Sequence, residues 1–314
     1  MKAYYEVDSR WDIFGIHSQE EYKEHCIVEG YFHEAVPKDI KDAFVTVSHL
    51  TAQAYFYYPI YDEAFNKALR VLEMSVKHKA ESIGISLITS NEKKKNLDTL
   101  IKEICTSNEL VYLFKPLDIA RKMRNYFMHP HNYTLMGITN NQISNIKLLS
   151  NIINALFQST EWHVQRQSAK ALVSLKIKDL VESPLFMGSN TPLLKGVIDF
   201  EVYENNVLFL TEPIRTNITE LIKKKTPLTP IELCLYDYRI TAEGFEGKNI
   251  LGEKSSLTQT SHPTNFSILE QYKQQISTFE EKDKHEYEFL LSWGSTWLKP
   301  NWEFEMNKTY NVLI

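Results

Sequence analysis

The segment from Asp118 to Tyr133 contains the residue types in this chain that best suggest chemistry. Arg124 and Asn125 stand next to each other, and His129 follows four residues after the asparagine. A guanidinium holds phosphate oxygens by charge-assisted hydrogen bonds, and an imidazole exchanges a proton near neutral pH. Together these side chains could bind a phosphate group and move a proton beside it.

An amphipathic helix is predicted to position these residues. Its apolar side is formed by Leu117, Ala120, Met123 and Phe127. Arg121, Asn125 and His129 recur every four residues on the opposite, polar face. We expect Asp118 in the first turn, where a negative charge suits the helix dipole, and the helix end at His129, because Pro130 disfavours helical geometry in the residue before it. A histidine at a helix C-terminus has its charged form favoured, which suits a proton donor.

The spacing between the arginine and the histidine is a weak pattern by itself. The chain has ten histidines, so roughly one loose match is expected by chance. Arg10 and His17 form a similar pair in a segment without helical periodicity. On residue types alone, the alternative therefore stays open that His129 is a capping residue and Arg124 an ordinary surface arginine.

Helical periodicity on both sides of the segment predicts four to five antiparallel helices in an up-and-down bundle over residues 38–160. Apolar residues recur at spacings of three and four in stretches that begin at Asp39, run from Asp62 to about Ala80, from Leu97 to Ile104, and from Asn141 to Phe157. Arg70 and Glu73 lie on the second of these helices and could orient the central histidine. Residues 1–37, rich in aromatic side chains, are expected to form an N-terminal arm or a small strand-bearing cap.

Two short basic runs are interpreted as solvated. Residues 90–96 contain Lys93, Lys94 and Lys95 and are predicted to be a polar loop, with a phosphate contact as the less favoured alternative. Residues 223–225 are three lysines at a predicted helix end, with RNA contact again the less favoured alternative. Neither run is therefore included among the candidate site residues.

Residues 161–314 are predicted to form a second, mixed α/β domain of unassigned role. Strand and helix patterns occur as a hairpin of Val197–Tyr203 with Val207–Leu210, a strand over Ile231–Ile240 and a helix over Phe266–Phe279. Glu243 to Thr264 is polar and contains glycines, so we expect a loop there. The predicted fold class is therefore α+β, mainly an antiparallel α-helical bundle with a second, β-containing domain.

The composition is that of a folded protein, with 43% hydrophobic and 24% charged residues. The three cysteines lie far apart in the sequence, which excludes a disulfide framework or a zinc knuckle and favours a cytoplasmic location. We expect neither an N-terminal leader nor a membrane-spanning stretch. The net charge is −5, but residues 38–160 carry fifteen Lys or Arg against eleven Asp or Glu. This region could meet a phosphate backbone, although ordinary variation in surface charge explains the count equally well.

At these residues the sequence resembles the HEPN superfamily of helical bundles. The family motif is an arginine, a polar residue that is often asparagine, several variable residues and a histidine near the end of a late helix. Arg124, Asn125 and His129 match it in order and spacing. Residues 68–77 are similar to the earlier helix of the family, in which an acidic residue supports the site. The resemblance covers residues 38–160 and implies a HEPN-like bundle there.

The resemblance implies a metal-independent endoribonuclease that needs no cofactor. In such enzymes the 2′-OH of the RNA attacks the adjacent phosphate and leaves a cyclic phosphate and a 5′-OH. His129 would serve as general acid or base, Arg124 would hold the non-bridging oxygens, and Asn125 would orient the histidine or the phosphate. Glu73 would set the orientation of the imidazole. The predicted substrate-binding residues are Arg121, Lys122, His131 and Tyr133.

The resemblance also implies partners and a setting. The implied partners are an RNA substrate, a second copy of the chain in a homodimer with a shared active site, and an antitoxin or other regulatory partner. The implied setting is that of a toxin or antiviral-defence effector that binds no membrane. Some family members have a tyrosine two residues after the histidine. This chain has His131 at that position, and its nearest tyrosine is Tyr133.

Two alternatives stay open: a non-catalytic HEPN bundle that serves as a nucleotide-binding or dimerising regulatory module, and an adaptor whose function lies in residues 161–314. The sequence has no His-Glu-x-x-His motif, so no metal site is predicted.

Overall fold

The computed structural model describes residues 4–106, 109–128, 141–180, 183–187 and 192–311. The chain divides into two compact units. The first contains Met1–His163 together with Glu303–Ile314, and the second contains Val164–Trp302. The described residues combine many helices with one antiparallel sheet, so the fold class is α+β as the sequence predicts.

The first unit is helical over its described residues. Its helices are α1 (Arg10–Ile13), α2 (Gln19–Cys26), α3 (Lys38–Gln53), α4 (Ile60–Ser82), α5 (Leu97–Ile104), α6 (Phe114–Met128) and α7 (Asn141–Phe157). The long helix α4 packs against α3, α5, α6 and α7. Its apolar stripe, which includes Phe65, Leu69, Leu72 and Val76, is buried in the core of the unit. The periodic apolar positions therefore predicted the helices from α3 to α7 and their buried sides, but not α1 and α2.

The N-terminal segment packs on the bundle through two short helices. Among residues 4–37 the structure has no strand, so the expectation of a strand-bearing cap is wrong. Trp11 donates a hydrogen bond from Nε1 to the carbonyl oxygen of Ala54 at 3.1 Å. The Tyr22 hydroxyl donates to the carbonyl oxygen of Thr51 at 2.5 Å. Large amphipathic aromatic side chains, rather than a sheet, thus attach this segment.

The last described residues of the chain also belong to the first unit. Helix α12 (Leu298–Asn311) places Phe304 in the core of that unit, with its ring 5.5 Å from the ring of Tyr31. The amide of Asn307 donates to the Asn151 side chain at 3.0 Å. The predicted second domain, residues 161–314, includes these residues, because a boundary drawn along the chain cannot show that a later segment returns.

The second unit contains a six-stranded antiparallel sheet. The strands are β1 (Leu185–Phe186), β2 (Leu194–Tyr203), β3 (Asn206–Pro213), β4 (Ile231–Ile240), β5 (Gly244–Lys248) and β6 (Lys254–Gln259). The sheet closes into a barrel, because β1 pairs with both β2 and β6. Phe209, Leu235, Phe245 and Leu257 are fully buried in its core. The predicted hairpin is present as β2 and β3, and its turn places Glu204 at a φ of +51°.

Helices complete the second unit and correct two expectations. The region from Glu243 to Thr264 is not a loop, since it contains β5 and β6. A helix that the sequence analysis did not predict, α8 (Thr160–Leu180), crosses the expected domain boundary. The remaining helices are α9 (Ile218–Lys223), α10 (Pro263–Ser277) and α11 (Glu281–Ser295). Among all the helices that the structure describes, none has the length and apolar content needed to cross a bilayer.

Candidate functional site

Arg124 is held against α4 by a carboxylate. Its Nε and Nη2 atoms lie 3.1 Å and 3.0 Å from Oε2 of Glu73. Its Nη1 donates to the side-chain oxygen of the neighbouring Asn125 at 3.3 Å. The side chains of Glu73 and Arg124 keep 19% and 28% of their exposure, so the pair is partly buried but reachable from solvent. Since two edges of the guanidinium have partners, its direction is fixed before any ligand arrives.

Glu73 has a second cationic partner on its own helix. Lys77, one turn further along α4, donates to Oε1 of Glu73 at 2.7 Å. Partial burial raises the pKa of Glu73. The hydrogen bond and charge of Lys77, followed by those of Arg124, together lower this pKa by a larger amount. The pKa of Glu73 therefore lies below its ordinary value of 4.5, and the group is ionised at neutral pH.

A cavity of about 730 Å³ lies beside this pair within the first unit. Arg124, Asn125 and Glu73 all contribute to its wall. Its other charged lining residues are Lys77, Lys94, Lys95, Asp98 and Arg121. Five cationic side chains thus surround the cavity against two carboxylates. A concave surface with this excess of positive charge attracts anions such as phosphate groups.

The predicted helix face is present, but its first turn differs from the expectation. Helix α6 begins at Phe114, so Asp118 lies one turn further into the helix and does not act on its dipole. Instead Asp118 accepts hydrogen bonds from Arg121 at 2.6 Å and from Lys122 at 2.8 Å. The opposite side packs as predicted, since Leu117 and Ala120 are buried.

The predicted site residues divide into three groups. Arg124, Asn125, Glu73 and Arg121 come together at the cavity. Lys122 is exposed, is bound to Asp118, and does not line that cavity. Three further candidates, His129, His131 and Tyr133, lie outside the described residues, and so does the helix end predicted at His129.

Three lysines at the cavity were not among the predicted site residues. Lys94 and Lys95 belong to the basic triplet of the solvated loop, and that loop turns back on itself. The amide of Lys95 donates to the carbonyl oxygen of Leu87, and the amide of Thr89 donates to that of Lys93, both at 2.8 Å. The triplet was a visible signal, but only the turn brings it to the cavity wall beside Lys77.

Within the described ranges, no group of three or more His, Cys, Asp or Glu side chains is arranged to hold a metal ion. Comparison of the chain with models of protein families, with curated proteins and with solved structures gave no match. The resemblance to HEPN proteins therefore rests on the motif residues and on the helical periodicity around them.

Proposed function

We propose that the protein is a metal-independent endoribonuclease whose active site contains Arg124, Asn125 and His129 of a HEPN-like bundle. The observation that supports this most is the position of Arg124. Its guanidinium is fixed by Glu73 at the wall of a cavity that also presents Lys77, Lys94, Lys95 and Arg121. An RNA backbone is the polyanion that such a surface suits, because each nucleotide brings one phosphate.

The proposed reaction uses a nucleophile that the substrate carries. The 2′-oxygen attacks the adjacent phosphorus, the bond to the 5′-oxygen breaks, and the products are a 2′,3′-cyclic phosphate and a 5′-OH. Two protons must move, one from the 2′-OH and one to the departing 5′-oxygen. His129 is assigned to proton transfer, a role typically worth about 10²–10⁴-fold in rate. Arg124 stabilises the negative charge that develops on the non-bridging oxygens.

The two neighbours of Arg124 act through it. Glu73 fixes the guanidinium from one side, so it is assigned as a positioning residue rather than as an orienter of the imidazole. Asn125 accepts from Nη1 of Arg124 through its side-chain oxygen, which leaves its amide N–H groups as donors for a phosphate or the imidazole. Arg121 extends the cationic wall and is assigned to substrate binding.

A homodimer with a shared site is part of the proposal. On the outer side of α6, Ile119 and Tyr126 retain 43% and 63% of their exposure. They lie seven residues apart and therefore share one helix face, two turns long, next to Arg124 and Asn125. Exposed apolar groups at this spacing suit packing against a second copy of the helix. A cytoplasmic toxin or antiviral-defence effector, restrained by an antitoxin or other regulatory partner, is the setting we propose for this activity.

The test is cleavage of total RNA in EDTA by the full chain and by two variants. Arg124→Ala and His129→Ala should each reduce cleavage by at least about a hundredfold, because each removes a group used at the transition state. The RNA ends left by the parent protein should be cyclic phosphates. Far-ultraviolet circular dichroism and urea unfolding check that both variants are folded.

The controls are residues of the same types elsewhere in the chain. His17 and Arg239 are well exposed, and each pairs with a surface carboxylate. His17→Ala and Arg239→Ala should leave the cleavage rate unchanged. Cleavage that survives in both folded site variants, or that disappears in EDTA, would refute the proposed active site.

A second candidate is a non-catalytic bundle that binds nucleotides. It is favoured by one observation: Nε and Nη2 of Arg124 are already directed to Glu73, so a phosphate must bind through the remaining N–H groups. A site that only binds needs no further rearrangement of the guanidinium. Titration with ATP and with a short RNA distinguishes the two, since a binding module gives saturable binding that Arg124→Ala weakens, without new RNA ends.

A further inference from the structure

The positive charge at the cavity of the first unit is largely compensated by carboxylates. Four of the five cationic lining residues form ion pairs, with N–O distances from 2.6 Å to 3.4 Å. The pairs are Lys77 and Arg124 with Glu73, Lys95 with Glu103, and Arg121 with Asp118 and Asp98. An anion that binds one of these four side chains must therefore share it with a carboxylate.

Lys94 is the fifth cationic residue of the cavity wall. It is exposed, and it forms no ion pair with any residue that the structure describes. An ammonium has three N–H donors, so Lys94 can bind an anion without breaking an existing pair. Lys94 is therefore the position in the wall at which an added anion competes least with the carboxylates of the protein.

The turn that carries Lys94 is held by backbone pairing. Lys94 forms an antiparallel bridge with Ile88, and the amide of Lys95 donates to the carbonyl oxygen of Leu87 at 2.8 Å. Residues directly opposite each other in an antiparallel pair project to the same side, and both Ile88 and Lys94 line the cavity. The backbone of Lys94 is thus fixed at the cavity, and a ligand has to order only the side chain.

Lys94 and Arg124 reach the cavity from different elements. Asp98, in the first turn of α5, pairs with Arg121 of α6 at 3.4 Å, and Arg121 lies one turn before Arg124. Lys94 comes four residues before Asp98, so the Cα atoms of these two residues are at most about 15 Å apart. The cavity volume of about 730 Å³ is in the range of about 300–1,000 Å³ that holds whole small ligands. This volume exceeds what one phosphate group needs, so two phosphates can be held at once.

We propose that Lys94 binds a second phosphate of a single-stranded RNA whose scissile phosphate lies at Arg124. The inference rests on the proposed function, which places the first phosphate at that guanidinium. Because the phosphates of one strand are covalently linked, binding of the first raises the effective concentration of the second beside Lys94. The phosphate contact that was the less favoured alternative for the basic run at residues 93–95 is thus assigned to Lys94.

The cavity suits a single strand better than a double helix. Its apolar lining residues, Leu87, Ile88, Leu97 and Leu100, offer a surface on which an unstacked base or a ribose can pack. Single strands expose their bases in this way, whereas a double-stranded RNA is recognised from outside, across its grooves. A ligand with only one phosphodiester would fit the same cavity but leave Lys94 unused. Strands with several phosphates should therefore bind more tightly than a dinucleotide.

The experiment measures binding of the full chain to a labelled 2′-O-methyl octauridylate by fluorescence anisotropy. This strand lacks the 2′-OH, so the proposed reaction cannot cleave it. Lys94→Met should weaken binding about five- to tenfold, the effect of one exposed charge-assisted contact. The slope of log K against log salt concentration should become shallower by about 0.7, the value for one phosphate of a single strand. The 2′-O-methyl dinucleotide UpU, measured by competition, has one phosphodiester, and its affinity should change less than about twofold.

The matched control is Lys93→Met. Lys93 is the preceding residue of the same turn and is also exposed, but it does not line the cavity. Its loss removes the same charge from the same part of the chain, so it should leave the affinity and the salt slope unchanged. Circular dichroism checks that both variants are folded.

Cleavage kinetics separate this inference from the proposed function. With a cleavable RNA, Lys94→Met should raise KM about five- to tenfold and leave kcat unchanged, because it removes binding that substrate and transition state share. If the parent protein binds the octanucleotide through Lys94 but cleaves no RNA, the nuclease proposal fails and the second phosphate contact stands.

Four results would overturn the contact whether or not RNA is cleaved. They are an octanucleotide that does not bind, equal affinities and slopes for Lys94→Met and Lys93→Met, a loss for UpU as large as that for the octanucleotide, and a 2′-O-methyl duplex that competes as well as the single strand.

Discussion

At the scale of single residues, Glu73 connects two helices through charge. It accepts from Lys77 on its own helix and from Arg124 on α6, so one carboxylate pairs with two cations beside the cavity. Removing that carboxylate should loosen Arg124 as well as destabilise the unit. Loss of an ordinary surface acid would not release a guanidinium at the cavity, so the loosening of Arg124 distinguishes Glu73 from such a residue.

We predict that Glu73→Gln lowers the free energy of unfolding by about 1 kcal/mol at neutral pH, since the ion pairs are partly exposed. The pKa of Glu73 is below 4.5 in the folded chain, so its contribution is present above that pH and disappears as the pH falls through the lowered pKa. Urea unfolding across this range measures the difference. Glu63→Gln, an exposed position on the same helix, should change the free energy by less than about 0.5 kcal/mol.

A second carboxylate attaches the N-terminal segment. Asp8 accepts from Arg10, at 2.8 Å to Nε, and from the backbone amide of Tyr58 at 3.0 Å. The Arg10 hydrogen bond is the largest cause that lowers the pKa of Asp8, from 3.8 to about 2. The pair of Arg10 and His17 that resembles the motif in spacing is thus structural: Arg10 binds Asp8 and lies over the ring of Tyr58.

We expect Asp8→Asn to lower the free energy of unfolding by about 2 kcal/mol at neutral pH. Because the folded pKa is depressed, this stability is present above 3.8 and is lost as the pH falls through about 2. Parent and variant should therefore converge in acid, as followed by urea unfolding at several pH values. Asp12→Asn, at a well exposed position in α1, should change the free energy of unfolding at neutral pH by less than about 0.5 kcal/mol.

Much of the candidate site was predictable at this scale. Arg124, Asn125, Arg121 and Glu73 were named from residue type and helical spacing, and all four line one cavity. Lys94 and Lys95 were not named as site residues, because their position depends on a turn whose geometry has no periodic signal. Residue spacing reports neighbours within one helix, whereas a cavity wall is assembled from several elements.

At the scale of elements, strand β5 depends on a glycine. Gly244 has a φ of +152°, and a Cβ there would lie 2.1 Å from the carbonyl oxygen of Leu257 on β6. The neighbouring strand therefore approaches closely enough that only a glycine fits at this position.

We predict that Gly244→Ala lowers the free energy of unfolding by more than about 2 kcal/mol, because β5 and β6 must separate to admit the methyl group. Gly252→Ala is the matched control, since its φ of +78° is also positive but no atom lies within 4 Å of the added Cβ. It should cost only about 1 kcal/mol, the strain of the backbone alone. Thermal unfolding of both variants tests this; equal losses would show that crowding by Leu257 is unimportant.

The missed elements have physical explanations. Strand β6 contains Leu257 as its one buried residue among polar neighbours, so it lacks the alternation that indicates a strand. Helix α8 keeps Val164, Leu172 and Leu175 exposed while Val173 is buried, so its apolar residues do not form one stripe. Elements with a single clear apolar face, such as α4, were predicted within about two residues of their ends.

At the scale of the whole molecule, the first unit is discontinuous in sequence. Glu303–Ile314 return to it after the second unit has been completed. Phe304 is 4% exposed, and Lys147 lies 5.0 Å from the centre of its ring. The core of the first unit therefore includes a side chain from a distant part of the sequence.

We predict that Phe304→Ala destabilises the first unit by about 3 kcal/mol or more, the usual cost of a buried phenylalanine. Hydrogen exchange should rise in α7, which carries Lys147, and in the N-terminal segment that contains Tyr31. Tyr310→Ala, on the same helix at 40% exposure, should have a much smaller effect. Unchanged exchange in α7 after Phe304→Ala would contradict the assignment of the part of α12 that starts at Glu303 to this unit.

The return of the last residues of the chain to the first unit has a consequence for biosynthesis. Because translation proceeds from the N-terminus, residues 164–302 leave the ribosome before Phe304 can cover Tyr31. The helical unit carrying Arg124 therefore cannot finish folding as a nascent chain while the strands are still being made. A fragment released before Phe304 is made would therefore lack one of the buried side chains of the first unit's core.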